Sequence, residues 1–154
     1  MSYITGIDIT ATSSTLEFQL GQIGQTSDGK LYKYVQYVVG AGSVAAVAGN
    51  VVGYYAASGA SAGQVAIVTA DVSDTARAGA GVLQSAPATE EYCWIQVAGS
   101  ATLTTALTAG ADGNALTLVG AGDSTLDVSG AVTDAVCATA IDASAKIIMC
   151  QFPL

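Results

Sequence analysis

Histidine is missing from this sequence altogether. That removes every Ser–His and Cys–His catalytic pair and every imidazole metal ligand. Cations are nearly missing too. Lys30, Lys33, Arg77 and Lys146 are the whole set, and only the first two are close in sequence. Nucleic-acid binding needs clustered Lys and Arg to neutralise phosphates, so no nucleic-acid partner is expected. Charged residues of both signs make up 10% of the chain, against roughly 25% in an ordinary soluble domain. Ordinary disorder, which needs high charge and low hydrophobicity, does not fit a chain that is 51% hydrophobic.

Other features are scarce in ways that also exclude. The start, Met1-Ser2-Tyr3-Ile4-Thr5-Gly6, lacks the positive and apolar regions of an export signal. The longest weakly polar run, Val35 to Ala57, is broken by Gln36, Asn50 and several glycines, so it is no membrane span of about 20 apolar residues. Folding in cytoplasm and no membrane partner are the expectations. Cys93, Cys137 and Cys150 are an odd number without tight spacing, which reads as buried free thiols. A Cys nucleophile would need a neighbouring cation; Cys93 precedes Trp94, and Cys137 sits in Ala-Val-Cys-Ala.

What is present is small and apolar. Ala and Val dominate, with 18 Gly and only 2 Pro. Small residues let backbones approach closely but bury little area each, at about 25 cal/mol per Å², so subunit or partner contacts are expected to add stability. The net charge of −8 supports solubility and can steer the chain to a basic surface. At 154 residues one domain, with or without an arm, is the expected organisation.

Helical periodicity is hard to find, whereas short β-branched and aromatic runs separated by Gly, Asn, Asp and Ser recur throughout. The expected fold is all-β, a small barrel or sandwich, because turn signals return about every 8–12 residues. Its clearest element is a hairpin over 18–39: Phe18 to Gln25, a turn at Thr26-Ser27-Asp28-Gly29-Lys30, and Leu31 to Val39. Tyr32 and Tyr34 share one face of the return strand while Val35, Tyr37 and Val39 take the other. Aromatic rings on both faces imply that both are covered.

A barrel or sandwich over 44–154 follows. Strands are expected near Val51–Ala56, Gln64–Thr69, Ala80–Gln84, Glu91–Val97, Thr102–Leu107, Ala115–Val119, Thr125–Val128, Ala131–Ala140 and Lys146–Phe152. A Gly/Ser/Ala loop is expected at Ser58–Gly63, and an acidic loop at Asp71–Thr75. In the Glu91–Val97 strand, Trp94 shares a face with Tyr92 and Gln96, while Cys93, Ile95 and Val97 are the core candidates. Residues 1–15 read either as an edge strand of the domain or as an extended arm that adds to a neighbour's sheet. Residues 16–154 form the domain proper.

Catalytic and ligand motifs have bland readings here. Glu90 and Glu91 flank a turn. Gly49-Asn50-Val51-Val52-Gly53 and Gly79-Ala80-Gly81 lack the Lys of a phosphate loop and its following helix. Asp112, Gly113 and Asn114, with Asp123 further on, could offer oxygens to calcium, but their spacing is not that of an EF-hand and an exposed turn is the expectation. No cofactor and no enzymatic activity are expected.

Phe18-Gln19-Leu20-Gly21-Gln22, then Asp28-Gly29-Lys30-Leu31-Tyr32-Lys33-Tyr34-Val35, then Ala48-Gly49-Asn50-Val51-Val52 resemble the small capsid decoration (cement) proteins of tailed bacteriophages. Ala80-Gly81-Val82-Leu83-Gln84 and Tyr92-Cys93-Trp94-Ile95-Gln96-Val97-Ala98-Gly99 are similar to the β-barrel core of such proteins. The resemblance runs from Phe18 to the C-terminus. It implies a non-enzymatic virion protein, made in the host cytoplasm, that binds the outer surface of an icosahedral capsid. Its partners would be the major capsid protein and further copies of itself, with a trimer favoured over a dimer. The candidate shell or subunit contacts are Tyr3, Ile4, Ile7, Ile9, Phe18, Tyr32 and Tyr34. Two other readings stand beside it: another virion component (a head fibre base, tail or coat protein), or a carbohydrate-binding module using Tyr54, Tyr55, Tyr92 and Trp94.

Overall fold

A computed structural model describes residues 2–56 and 66–154; the loop expected at Ser58–Gly63 and the expected strand start at Gln64 lie outside the described residues. The fold is all-β, with 40% of the described residues in strands and no α-helix among them. Eleven strands follow one another among the described residues. The first seven are β1 (Tyr3–Ile4), β2 (Ile23–Gln25), β3 (Leu31–Tyr37), β4 (Val51–Tyr55), β5 (Ile67–Thr69), β6 (Thr75–Leu83) and β7 (Tyr92–Thr102). The remainder are β8 (Ala115–Thr117), β9 (Asp127–Val128), β10 (Val136–Asp142) and β11 (Ile147–Gln151).

The strands β3, β5, β4, β6 and β7 close into a five-stranded barrel through the β3–β7 pairing. Two strands branch. One edge of β3 holds β2 at Leu31–Lys33 and β5 at Gln36–Tyr37. The long β7 leaves the barrel near Ala98, and its second half pairs with β11. From there β10, β8 and β9 extend a second layer.

The second layer packs against the barrel over two glycines. A Cβ on Gly79 would sit 2.8 Å from Cys137 Sγ and 2.9 Å from Phe152, and one on Gly53 would sit 2.6 Å from Leu118. Glycine at these places lets the two layers share one continuous core. Val35, Tyr37, Cys93, Ile95 and Val97 from the barrel join Leu116, Leu126, Cys137, Ile148 and Phe152 from beyond it. Cys93, Ile95 and Val97 thus occupy the side that their alternation with Trp94 predicts.

The hairpin turn is built as its sequence suggests: Gly29 has φ +83°, and its amide donates to Thr26 O at 3.0 Å. The strand before it is shorter than Phe18–Gln25. Gly21 turns to φ +83°, and regular pairing begins only at Ile23. No strand forms over 103–107, because the chain turns off after Thr102. There Leu103 is buried, its amide held by Lys146 O, and Thr104 N donates to Gly49 O at 3.0 Å. The acidic loop at 71–75 contains a 3₁₀ turn, Val72–Asp74, capped by the Asp71 carboxylate. Each of the remaining expected strands is present with shifted ends, most visibly β6, which begins at Thr75.

Candidate functional site

The same alternation that fills the barrel places a row of rings on its outside. On β3 and β7 the opposed pairs Tyr32–Gln96, Tyr34–Trp94 and Gln36–Tyr92 face outward, while Lys33–Ile95 and Val35–Cys93 face inward. An outward-facing Trp and two Tyr would expose a large apolar area. Instead Tyr32, Tyr34 and Trp94 are buried, with Trp94 only 1% exposed.

Their cover is the chain's own N-terminal segment. Ile4, Ile7, Ile9 and Phe18 pack over the three rings, with Tyr92 at the edge. The Phe18 ring meets Tyr34 and Trp94 edge-on, each at 5.2 Å between centroids, and Tyr34 stacks on Tyr92 at 6.0 Å. Such pairs add about 0.5–1.5 kcal/mol each beyond area burial. Gly24 makes the fit possible: a Cβ there would lie 2.3 Å from Ile7 Cδ1 and 3.2 Å from Trp94.

The backbone attachment of this cover is slight. The strand β1 pairs in parallel with β2 through Tyr3–Ile23 and Ile4–Gly24. A single antiparallel bridge joins Ser13 to Tyr92, with hydrogen bonds of 3.1 and 2.8 Å. Residues 14–17 are exposed, and Glu17 N reaches the Tyr34 hydroxyl at 3.4 Å. Between segment and rings lies a cavity of about 120 Å³ lined by Asp8, Glu17, Phe18, Tyr92 and Trp94, among others. Burial holds the Tyr32 and Tyr34 hydroxyls above the usual phenol range.

Six of the seven candidate contact residues therefore meet at one place: Ile4, Ile7, Ile9, Phe18, Tyr32 and Tyr34. They meet each other within one chain, and β1 takes the edge-strand position. Tyr3 stands apart at 42% exposed. It pairs with Ile23 and so faces away from Ile4 and the rings. Trp94, Tyr92 and Gly24 belong to this site and are not among the predicted contacts. Alternation puts Trp94 opposite the core residues of its own strand, but which strand lies beside it depends on pairing that the sequence does not display.

Other candidate chemistry resolves into structural roles. The thiols of Cys93, Cys137 and Cys150 are all buried, and desolvation pushes each up to about 12. At that value a thiol stays protonated at neutral pH and is a poor nucleophile. Asp112 accepts from Ala143 N, the Asn114 amide oxygen from Ala111 N, and Asp123 from Val72 N. These groups tie turns together. Glu91 closes its own turn by accepting from Ala88 N at 2.9 Å. Trp94, being covered, is closed to a sugar ring. No described helix is long and apolar enough to cross a membrane.

No protein-family model, curated protein or solved structure matches the chain.

Proposed function

We propose that this chain is a structural virion protein that binds the outside of an icosahedral phage capsid and clamps neighbouring major capsid protein subunits. One observation carries the reading. A segment with its own apolar stripe, Ile4, Ile7 and Ile9, lies over an aromatic face while holding to the barrel through few backbone bonds. A strand so lightly held can pair with a partner's edge and supply directional hydrogen bonds without a deep pocket. The resemblance of residues 18–22, 28–35, 48–52, 80–84 and 92–99 to decoration proteins supports the same reading, as does the paucity of reactive side chains. In this role the chain acts without catalysis or cofactor, in several copies, with a trimer favoured. Each copy contributes modest contacts, and their combination across subunits resists genome pressure through avidity.

Cryo-electron microscopy of the virion that carries this chain tests the proposal. Density for the barrel on the outer shell, astride coat subunits, is the expected result. Copies confined to the tail or to fibres would favour the other virion component, and absence from the particle would end the reading.

A further inference from the structure

Beyond Ala98 the long strand β7 has a neighbour on one side only. Its partner there, among the described residues, is β11, in register down to Thr102–Ile147. The bonds at the two ends of this ladder fix which main-chain groups face β11. Phe152 N donates to Val97 O at 3.1 Å, and Leu103 N donates to Lys146 O at 2.8 Å. Hydrogen-bonded and non-bonded pairs alternate in an antiparallel ladder, so Ser100 and Thr102 turn their amides and carbonyls to the other side. No described strand lies there.

The Ser100 amide and both main-chain groups of Thr102 have no hydrogen-bond partner among the described residues. Ser100 O does have one. The side-chain amide of Gln96 donates to it at 2.9 Å and to Ala98 O at 3.2 Å. Gln96 is only 3% exposed, and its Oε1 accepts from no described donor. This side chain thus places an N–H where an adjacent strand would place one.

The open edge lies in a cleft of about 380 Å³ whose walls include Lys30, Gly49, Gln84, Gln96, Ser100 and Thr102. No aromatic ring and no acidic side chain lines it, so it offers neither a platform for a sugar nor a carboxylate for a cation. Its free groups sit on alternate residues, about 6.8 Å apart along the strand, which is the spacing of another extended chain. Sheets commonly guard an open edge with charge or proline, and Ser100-Ala101-Thr102 has neither. The described ends of the sheet, β1 and β9, are two residues each.

We propose that this edge docks an extended segment of a partner protein, which pairs with Ser100 and Thr102 as an added strand. Amides of the segment donate to Thr102 O and, in place of Gln96, to Ser100 O. Its carbonyls accept from Ser100 N and Thr102 N. Gln96 keeps its bond to Ala98 O. The chain then receives a strand here, whereas its N-terminal segment offers one, and the site holds whether or not the partner is a capsid.

The test is amide NMR of the full chain titrated with the blocked peptide Ac-Thr-Val-Thr-Val-Thr-NH2. The same peptide methylated at every backbone nitrogen is the control, since it cannot donate. Saturable shifts at Ser100 and Thr102 are expected, several-fold larger than at β1 or β9 and absent with the control. Thr102→Pro, which leaves the β11 ladder intact, should weaken binding about tenfold through one lost hydrogen bond. Gln96→Met frees Ser100 O and should lower the half-saturating concentration. Both variants are checked for folding by circular dichroism. The same two shifts on raising the protein concentration alone would support the proposal with a second copy as the partner. No saturable shift at Ser100 and Thr102, equal shifts at all three edges, or an equal response to the methylated peptide would overturn it.

Discussion

The two hydrophobic clusters lie on opposite faces of the same two strands, and they are held in different ways. Inside, Val35, Cys93 and Ile95 are enclosed by a barrel whose ladder returns on itself, and a second layer seals it through the glycine contacts at Gly53 and Gly79. Outside, Tyr32, Tyr34 and Trp94 are just as dry, yet their cover is one segment joined by a two-residue strand and a single bridge. Burial alone therefore does not measure permanence. A surface enclosed by a closed ladder opens only when the domain unfolds, whereas one covered by a lightly paired segment can open locally.

Adding one methyl group to each region makes the contrast measurable. A Cβ on Gly81 would meet the Gln96 backbone oxygen at 2.7 Å and Ile95 at 3.0 Å. Gly81→Ala should therefore cost about 1–3 kcal/mol of global stability through overpacking, read as a lower denaturant midpoint.

Removing residues 2–14 is expected to cost less, about 1–2 kcal/mol net. The lost burial of three partly covered isoleucines is offset by the entropy of a segment that no longer needs ordering. Far-UV circular dichroism should stay β-type while emission from Trp94, the sole tryptophan, shifts to the red. A collapse of the β signal would mean that the cover is integral to the barrel.

Gly24→Ala should have a smaller effect still, below about 1 kcal/mol, because the added methyl meets mainly the flexible tip of Ile7. Hydrogen exchange should accelerate at Ser13 and in β1 but not in β6 or β7. Uniform acceleration would erase the distinction between the two clusters.

The gentlest probe is acid. The Ser73 hydroxyl, with the amides of Gly42 and Ser73, holds the Asp71 carboxyl below its ordinary value of 3.8. A carboxyl depressed in the folded state stabilises fully above its unfolded value, and the contribution is lost as the pH falls through the folded value. Stability should thus decline below about pH 4, and Asp71→Asn should flatten that part of the decline. An unchanged acid limb in Asp71→Asn would show that Asp71 does not brace the 40–44 loop.

The strand-facing residues were the legible part of this fold. Tyr32 and Tyr34 against Val35 and Tyr37, and Trp94 against Cys93 and Ile95, follow from a two-residue period, and the Asp28-Gly29 turn follows from its backbone chemistry. The failure at Thr102–Leu107 has a different origin. Those residues have strand propensity, but the Gly49 and Lys146 backbones capture their amides, a tertiary choice that composition does not encode. The gathering of Ile4, Ile7, Ile9 and Phe18 over Trp94 was half legible. Their apolar character showed that they needed a surface, but whether that surface lay in the same chain or a neighbour depends on long-range pairing. Lys33, buried at 5% exposure, was the least legible residue, since a lysine between two tyrosines on a strand reads as a solvated charge until its burial is seen.

The most direct test of the assembly reading is co-sedimentation with expanded capsids stripped of decoration, comparing the full chain with the variant lacking residues 2–14. The full chain should pellet with the capsids, while the folded variant stays largely in the supernatant. Equal pelleting of both would show that the N-terminal segment is only a cover, and no pelleting of the full chain would contradict a capsid-binding role.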